Sequence, residues 1–262
     1  MRRHLRLLGV QLRASLATAA QYRVEFAVEG VLALFWAGWS LVPVVVLFGH
    51  RPVLAGWTFP EALVVMGWFV LMKGILEGAV NPSLAAVVEH IRKGTLDFVL
   101  LKPVDAQFLV STAKFEPWRV VDALAALGIF GAAFHRLGRW PSAGQVAAAL
   151  LLLCCAAWTL YSLWILVISA AFHVVKVDNL SYLFSSIFDA ARWPVSVFRG
   201  AWRILFTVVV PLALMTTYPA MALLGRLELR TALLALAGSA LFSAFARAVW
   251  LSSIGRYTSA SS

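Results

Sequence analysis

The feature that most limits what this chain can fold into is a series of apolar segments, each about the length of a membrane-crossing helix. A helix needs about 20 apolar residues to cross the hydrocarbon core of a bilayer. Five segments meet this requirement: they cover about residues 26–48, 61–80, 117–134, 145–172 and 229–254. With a further crossing before the last of these, the pattern predicts an all-α integral membrane protein of about six transmembrane helices.

The composition excludes an ordinary soluble domain. Of the 262 residues, 62% are hydrophobic and 13% are charged, whereas soluble domains average about 45–50% apolar and about 25% charged residues. Six crossings leave no room for a large soluble domain, so residues 1–262 are expected to form a single transmembrane domain. The net charge of +10 indicates basic residues that flank the spans and contact anionic membrane lipids, and not a nucleic-acid partner.

Residues 1–23 have the pattern of an amphipathic helix that lies in the membrane interface. Leucines recur at helical spacing from Leu5 to Leu16, and arginines cluster on an adjoining face. Lys and Arg are enriched on the cytoplasmic side of membrane proteins. Five arginines precede the first span, and Arg247 and Arg256 mark the end of the last one. Both termini are therefore predicted to lie in the cytoplasm.

Two segments compete for the remaining crossing. Residues 180–198 are apolar enough to cross, but Asp189, Arg192 and Pro194 interrupt them. Residues 204–224 are also apolar and contain two prolines. Either the first segment crosses and the second dips into the membrane and returns, or the second crosses and the first lies at the cytoplasmic side. Counting positive charges favours the second interpretation.

Ionisable residues within the predicted spans are candidate pathway residues. Lys73 and Glu77 lie four residues apart on one face of the second span, and Glu29 lies in the first span. A charge at membrane depth is costly unless it is paired or hydrated. Lys73 and Glu77 can neutralise each other or line a translocation cleft, and Glu29 can anchor the helix or lie at the inner mouth of a pathway. Gly74 and Gly78 would allow a neighbouring helix to approach closely.

The longest polar interruption between two spans covers residues 81–116. Gly94 interrupts the preceding helical pattern. Thr95 is expected to cap a new helix that begins at Leu96, and Pro103 is expected to end it. A short amphipathic helix held between two spans is suited to docking a soluble partner.

The amino-acid sequence of this loop is distinctive. Residues 92–104 are Arg-Lys-Gly-Thr-Leu-Asp-Phe-Val-Leu-Leu-Lys-Pro-Val. This resembles a loop of type-2 ABC exporter permeases, whose pattern is roughly Glu/Arg-x-Gly-Thr-Leu/Glu-x-Leu-x-x-x-Pro-Val/Leu; many relatives carry Glu where this chain has Asp97. The matching residues are Arg92, Lys93, Gly94, Thr95, Leu96, Asp97, Leu100, Leu101 and Pro103. Residues 210–220 also resemble the proline-punctuated region before the last span of that family.

The resemblance implies the permease subunit of a bacterial ABC transporter in the inner membrane. In that family, the loop between the second and third spans carries the coupling helix, which sits on a separate ATPase subunit. Two permease subunits, either two copies or this chain with a second permease, would form the pathway above two ATPase copies. The family also implies export, here of a small hydrophobic or amphipathic compound. Its re-entrant helices before the last span favour residues 180–198 as the crossing and 204–224 as the re-entrant segment.

Signatures of other chemistries are missing from the sequence. There is no Gly-x-x-x-x-Gly-Lys-Ser/Thr phosphate loop, so a partner would have to hydrolyse ATP. The five histidines are dispersed, and we expect neither a metal site nor a cofactor. The alternative function is a stand-alone secondary transporter that couples ions through Lys73 and Glu77. An enzyme acting on lipid would need convergent His, Asp or Glu residues, which the sequence does not offer.

Overall fold

The computed structural model describes residues 2–171 and 185–255, which are almost entirely helical. In chain order the helices are α1 (Arg2–Gln21), α2 (Arg23–His50), α3 (Phe59–Ile75), α4 (Asn81–Arg92), α5 (Asp97–Leu100), α6 (Ala106–Ser111), α7 (Val120–Leu137), α8 (Ala143–Ala171), α9 (Ala201–Ile204), α10 (Tyr218–Leu223) and α11 (Leu229–Gly255). Single π-helical turns cover Leu76–Val80, Leu205–Val209 and Ala213–Thr217, and 3₁₀ turns cover Pro117–Arg119, Asp189–Arg192 and Val195–Val197.

Five of the predicted spans are confirmed as helices long and apolar enough to cross a membrane. They are Arg23–His50, Phe59–Ile91, Pro117–Leu137, Ala143–Ala170 and Leu229–Gly255. The protein is therefore an all-α, multi-pass membrane protein. The helix of the second span continues beyond residue 80 into α4. The π turn and Pro82 lie at this junction, where proline supplies no N–H and the π turn changes the regular hydrogen-bond pattern.

The sixth crossing is not seen as a continuous long helix in the described part of the chain. Of the first candidate segment, residues 180–184 lie outside the described residues. Its remainder has helical turns that end at an extended Trp193 before Pro194. The second candidate, 204–224, is divided by a non-helical Val210 before Pro211 into two short helical pieces. The number of crossings therefore stays a prediction.

The second span is the centre of the molecule. Helix α3 packs chiefly against α7, and α8 packs against α11. In the most apolar part of the second span, 67% of the residues are buried, whereas the corresponding parts of the first and last spans are each 17% buried. The outer faces of α2 and α11 carry exposed apolar side chains such as Phe35, Trp39, Leu233 and Leu241. Such faces are suited to contact with lipid.

A two-stranded hairpin joins α2 to α3 at one end of the bundle, which we call the hairpin end. Strands β1 (Val53–Leu54) and β2 (Trp57–Thr58) pair antiparallel. The turn between them places Ala55 and Gly56 at φ 49° and 84°, as a tight two-residue turn requires. The Trp57 indole donates to Ser196 Oγ at 3.0 Å. The hairpin is therefore held against the segment that precedes α9.

Candidate functional site

The candidate site is the polar loop after α4, at the opposite end of the bundle, which we call the loop end. Gly94 stops α4 by adopting φ 66°. The Gly94 N–H donates to Ile91 O at 3.2 Å, and the Thr95 N–H donates to His90 O at 2.9 Å. This pair of bonds is a Schellman motif, in which a left-handed glycine satisfies the last helical carbonyl groups. The predicted break at Gly94 is confirmed, and the glycine turns the chain into α5.

Helix α5 differs in detail from its prediction. The residue at its N-cap is Leu96 and not Thr95, and no side chain caps it. The Thr95 hydroxyl instead lies 2.8 Å from the His90 ring nitrogen, so it is used by the preceding helix. Leu96 is fully buried and anchors the loop. The helix ends at Leu100. It does not extend to Lys102, because a residue that precedes a proline is disfavoured in a helix.

The outer face of α5 carries two exposed apolar side chains. Phe98 is 71% exposed and Leu101 is 81% exposed. Lys93 and Lys102 are also exposed, and Lys93 forms an ion pair with Glu89 at 2.9 Å. We call Lys93, Phe98, Leu101 and Lys102 the tip patch. The family motif has no fixed residue at position 98, so the sequence analysis did not identify Phe98. Phe98 and Leu101 are three residues apart, a spacing that puts both on one face of a helix and could have identified it.

The other predicted loop residues have structural positions. Leu100 is half-buried and packs against the core, whereas Pro103 is exposed. Asp97 lies in the first turn of α5, where a carboxylate interacts favourably with the helix dipole. Arg92 is the last residue of α4. Of the predicted coupling residues, Leu96 and Leu100 therefore face inward, whereas Lys93, Leu101 and Pro103 are exposed.

Helix α6 is tied to the last span by an ion pair. Asp105 caps α6 by accepting the Phe108 N–H at 2.9 Å. The same carboxylate accepts a 2.5 Å bond from Arg247 Nη2 of α11. Partial burial of Asp105 opposes its ionisation, but the bonds from Arg247 and Phe108 outweigh that effect and lower its pKa.

A polar network continues from α6 to α8. Arg247 also donates to Gln107 Oε1. Gln107 Nε2 donates in turn to the Tyr161 hydroxyl at 2.8 Å, and Ser111 Oγ lies 2.8 Å from the same hydroxyl. We call Asp105, Gln107, Ser111, Tyr161 and Arg247 the loop clamp. It joins one short loop helix to two long spans.

The far side of the loop is held by α1 and α4. Ser83 Oγ donates to Lys114 O at 2.6 Å and accepts the Lys114 N–H at 3.0 Å. Thr112 Oγ1 donates to Gln11 Oε1 at 2.7 Å. The Phe115 N–H donates to Ser15 Oγ at 3.1 Å. The N-terminal helix therefore packs on the loop as well as on α2.

A cavity of about 660 Å³ opens beside the loop, between α1, the start of α2 and the junction of the π turn with α4. Its lining combines acidic, basic and aromatic side chains, including Tyr22, Glu25, Glu29, Glu77, Lys114, Glu116, Trp118 and Arg119. The cavity brings together two of the predicted pathway residues, Glu29 and Glu77. Glu116 is paired with Lys114 at 2.8 Å. Among the described residues, Glu29 has neither a hydrogen bond nor an ion pair.

Lys73 is separated from this cavity. It lines a smaller one of about 80 Å³ with Phe69, Asp122 and residues of α2. Its ammonium group lies 6.0 Å from the centre of the Phe69 ring. Within the part of the chain that the structure describes, Lys73 and Glu77 form no ion pair with each other; Glu77 accepts a 3.2 Å bond from Asn81 instead.

The predicted close approach at the two glycines of the second span is confirmed. A Cβ atom on Gly74 would lie 2.7 Å from Asp122 Cβ, and one on Gly78 would lie 2.9 Å from Arg119 Cβ. Arg119 and Asp122 pair at 3.3 Å, so the glycines admit an ion pair of the third span against α3. In the described ranges, no three His, Cys, Asp or Glu side chains gather in a way that could hold a metal ion.

Comparisons with known proteins agree with the loop motif. The family model described as "ABC-2 family transporter protein" matches residues 34–261, which include the second span, the loop, the clamp and the last span. Searches among curated proteins and solved structures give no significant match. With a family match over nearly its whole length and a bundle of apolar helices around a central span, the chain belongs to the ABC-2 family of transporter permeases.

Proposed function

We propose that this chain is the membrane-spanning subunit of a bacterial ABC exporter in the inner membrane, with both termini in the cytoplasm. Two copies of the chain, or this chain with a second permease, form the pathway, and two copies of a separate ATPase bind below. The family match supports a transport subunit that works with an ATPase. The observation that carries the docking site is the tip patch.

The tip patch is suited to a protein partner. Phe98 and Leu101 are exposed on the most polar segment of the chain, where lipid does not cover them if the loop is cytoplasmic. Such side chains bury themselves well in a pocket of a partner, while the flanking Lys102 favours an acidic residue at its rim. Helix α5 is then the coupling helix, and Leu96 fixes it to the permease.

The cavity beside the loop is the proposed inner mouth of the pathway. It combines aromatic surfaces with carboxylates, a lining that suits an amphipathic compound. The two basic residues of the lining are paired, Lys114 with Glu116 and Arg119 with Asp122. The carboxylates of Glu29 and Glu77 therefore favour a cationic group over an anionic one. Lys73 lies in the smaller cavity and is proposed as a pathway residue deeper in the second span.

The region before the last span is proposed to contain one crossing and one re-entrant segment. Residues 180–198 cross, and residues 204–224 enter the membrane and return. The helix break at Pro211 supports this layout. Residues Ala213–Thr217 are buried, and the N–H of Val195 donates to Thr217 Oγ1 at 3.1 Å, so the two segments pack side by side.

The docking proposal is tested by co-purification of the permease with its ATPase from native membranes. Phe98→Ser and Leu101→Ser together should weaken retention of the ATPase about 30-fold, since two interface anchors contribute about 1 kcal/mol each. Val53→Ser, which alters an exposed apolar residue of the hairpin, should leave retention unchanged. Equal retention in all variants would contradict docking at the tip patch.

The same preparation distinguishes the proposed function from the alternative one. A stand-alone secondary transporter would retain no ATPase and would transport without ATP, using Lys73 and Glu77 to couple ions. The absence of an ion pair between these two described side chains gives that mechanism no specific structural support.

A further inference from the structure

We infer that Arg247 is a positioning residue that transmits movement of the coupling loop directly to the last span, and with it to the fourth. This inference rests on the proposed function, because it assumes that an ATPase moves the loop. In the proposed function, the loop moves the second and third spans because the backbone connects it to them. The inference adds a second connection, made by side-chain contacts, to the fourth and last spans.

The loop clamp provides the contacts for this route. Arg247 of α11 donates hydrogen bonds to two residues of the loop, Asp105 and Gln107. A planar guanidinium that holds a carboxylate and an amide fixes direction as well as distance. Asp105 is also the N-cap of α6. A shift of α6 therefore acts on the same carboxylate that binds the last span.

The chain itself gives a less rigid connection on both sides of the loop. Toward the second span, a π turn at Leu76–Val80 and then Pro82 interrupt regular hydrogen bonding, and such sites are where helices bend. Toward the third span, residues 112–116 form no helix, and the side-chain hydrogen bonds at Thr112, Lys114 and Phe115 tie this stretch to α1 and α4 rather than to the third span. A displacement of α5 and α6 is partly absorbed at these two places, whereas the clamp contacts are direct.

The two spans that receive the movement are joined to each other. Thr159 Oγ1 of α8 donates to Ser239 Oγ of α11 at 2.9 Å, and Ser162 Oγ donates to Ser243 Oγ at 3.0 Å. Hydrogen bonds between membrane helices stabilise their pairing. Since Tyr161 on α8 also belongs to the clamp, α8 and α11 should respond to the loop as one unit.

The test uses the full permease purified with its ATPase and two measurements. The first is retention of the ATPase. The second is the fluorescence change of a bimane label on Ser252→Cys, an exposed position near the end of α11, upon addition of MgATP, in a background in which Cys154 and Cys155 are replaced by Ala. Asp105→Asn is the main variant because Asn still caps a helix. Arg247→Gln, Arg247→Lys and the control Arg230→Gln, at an exposed position in the first turn of α11, complete the set.

We expect Asp105→Asn and Arg247→Gln to retain the ATPase as the unmodified protein does, and to reduce the MgATP-dependent fluorescence change about tenfold, a typical size for coupling between sites. The double variant should lose no more than either single one, because both changes break the same contact. Arg247→Lys should recover part of the response, and Arg230→Gln should keep all of it.

Two results would overturn the inference while leaving the proposed function intact. One is a full fluorescence response in Asp105→Asn and Arg247→Gln. The other is loss of ATPase retention in these variants in proportion to loss of the response, which would mean that the clamp only shapes the docking surface. If the unmodified permease retains no ATPase, the proposed function fails, and the inference fails with it.

Discussion

The two ends of the bundle each hold an arginine–carboxylate pair near an end of α11, and the pairs differ in their surroundings. At the hairpin end, Arg226 contacts Glu61 at 2.5 Å, and the Glu61 side chain is only 5% exposed. At the loop end, Arg247 contacts Asp105 at 2.5 Å, and both side chains are about 40% exposed. The contact distances are alike, but the access of water is not.

This difference determines what each pair can do. Glu61 also accepts the Thr58 N–H at 3.0 Å, so it fixes the start of α3 and the end of the hairpin in one arrangement. A buried carboxylate that loses its partner is strongly unfavourable. Water reaches both partners of the Asp105–Arg247 pair, so the contact adds less to stability than a buried pair does. The pair at the hairpin end is therefore expected to contribute more to stability than the pair at the loop end.

The largest effect is expected at the hairpin end. Arg226→Gln leaves Glu61 buried without its counter-charge and should lower the free energy of unfolding by about 3 kcal/mol, the lower part of the range for a broken buried pair because Arg226 itself is partly exposed. Thermal unfolding of the detergent-solubilised protein measures this loss. Arg230→Gln, four residues along the chain, is the matched control and should change stability little. Equal melting temperatures for the two variants would contradict a larger contribution of the buried Arg226–Glu61 pair to stability.

A smaller, pH-dependent effect is expected at the loop end. The pKa of Asp105 is lowered in the folded protein, so its ionised form stabilises the fold above the ordinary carboxyl pKa, and this contribution is lost as the pH falls through the lowered value. Asp105→Asn should cost about 0.5–1 kcal/mol near neutral pH, as for exposed ion pairs. Within the described part of the chain, the charged and titratable groups that interact with Asp105 are Arg247 and Tyr161.

The difference between Asp105→Asn and the unmodified protein should therefore shrink as the pH is lowered below about 4. Thermal unfolding of both proteins across pH measures it. A difference that grows on acidification would show that the carboxylate does not stabilise the loop in its ionised form.

The smallest effect on stability is expected in the cavity at the loop end. Glu29 has no partner among the described residues, so Glu29→Gln should change the free energy of unfolding by less than about 0.5 kcal/mol. If the cavity is the inner mouth, ATP-dependent export of a cationic amphipathic compound should nevertheless fall, while export of a neutral one should not. Paired measurements with one dye of each kind in inverted vesicles test this, and an equal change for both dyes would contradict a role for the carboxylate.

The predictable and the unpredictable parts of the fold differ in physical origin. The spans were predictable because a bilayer requires a fixed apolar length, and the break at Gly94 because few other residues adopt its backbone conformation. The cap of α5 was predicted wrongly because Thr95 has two possible partners, and His90 satisfies it from the preceding turn. The sequence around Thr95 does not indicate whether its hydroxyl contacts His90 or the first turn of α5.

The sequence by itself determined the membrane class, five of the spans, the loop with its family motif and the close approach at Gly74 and Gly78. These depend on residue type and spacing along one stretch of chain. Only the tertiary structure decided that Arg247 binds Asp105, that Arg226 binds Glu61, that Glu29 and Glu77 share a cavity without Lys73, and that Phe98 faces outward. The physical reason is that a charged or apolar side chain acquires its role from what surrounds it, and those neighbours come from segments up to 165 positions away in the chain.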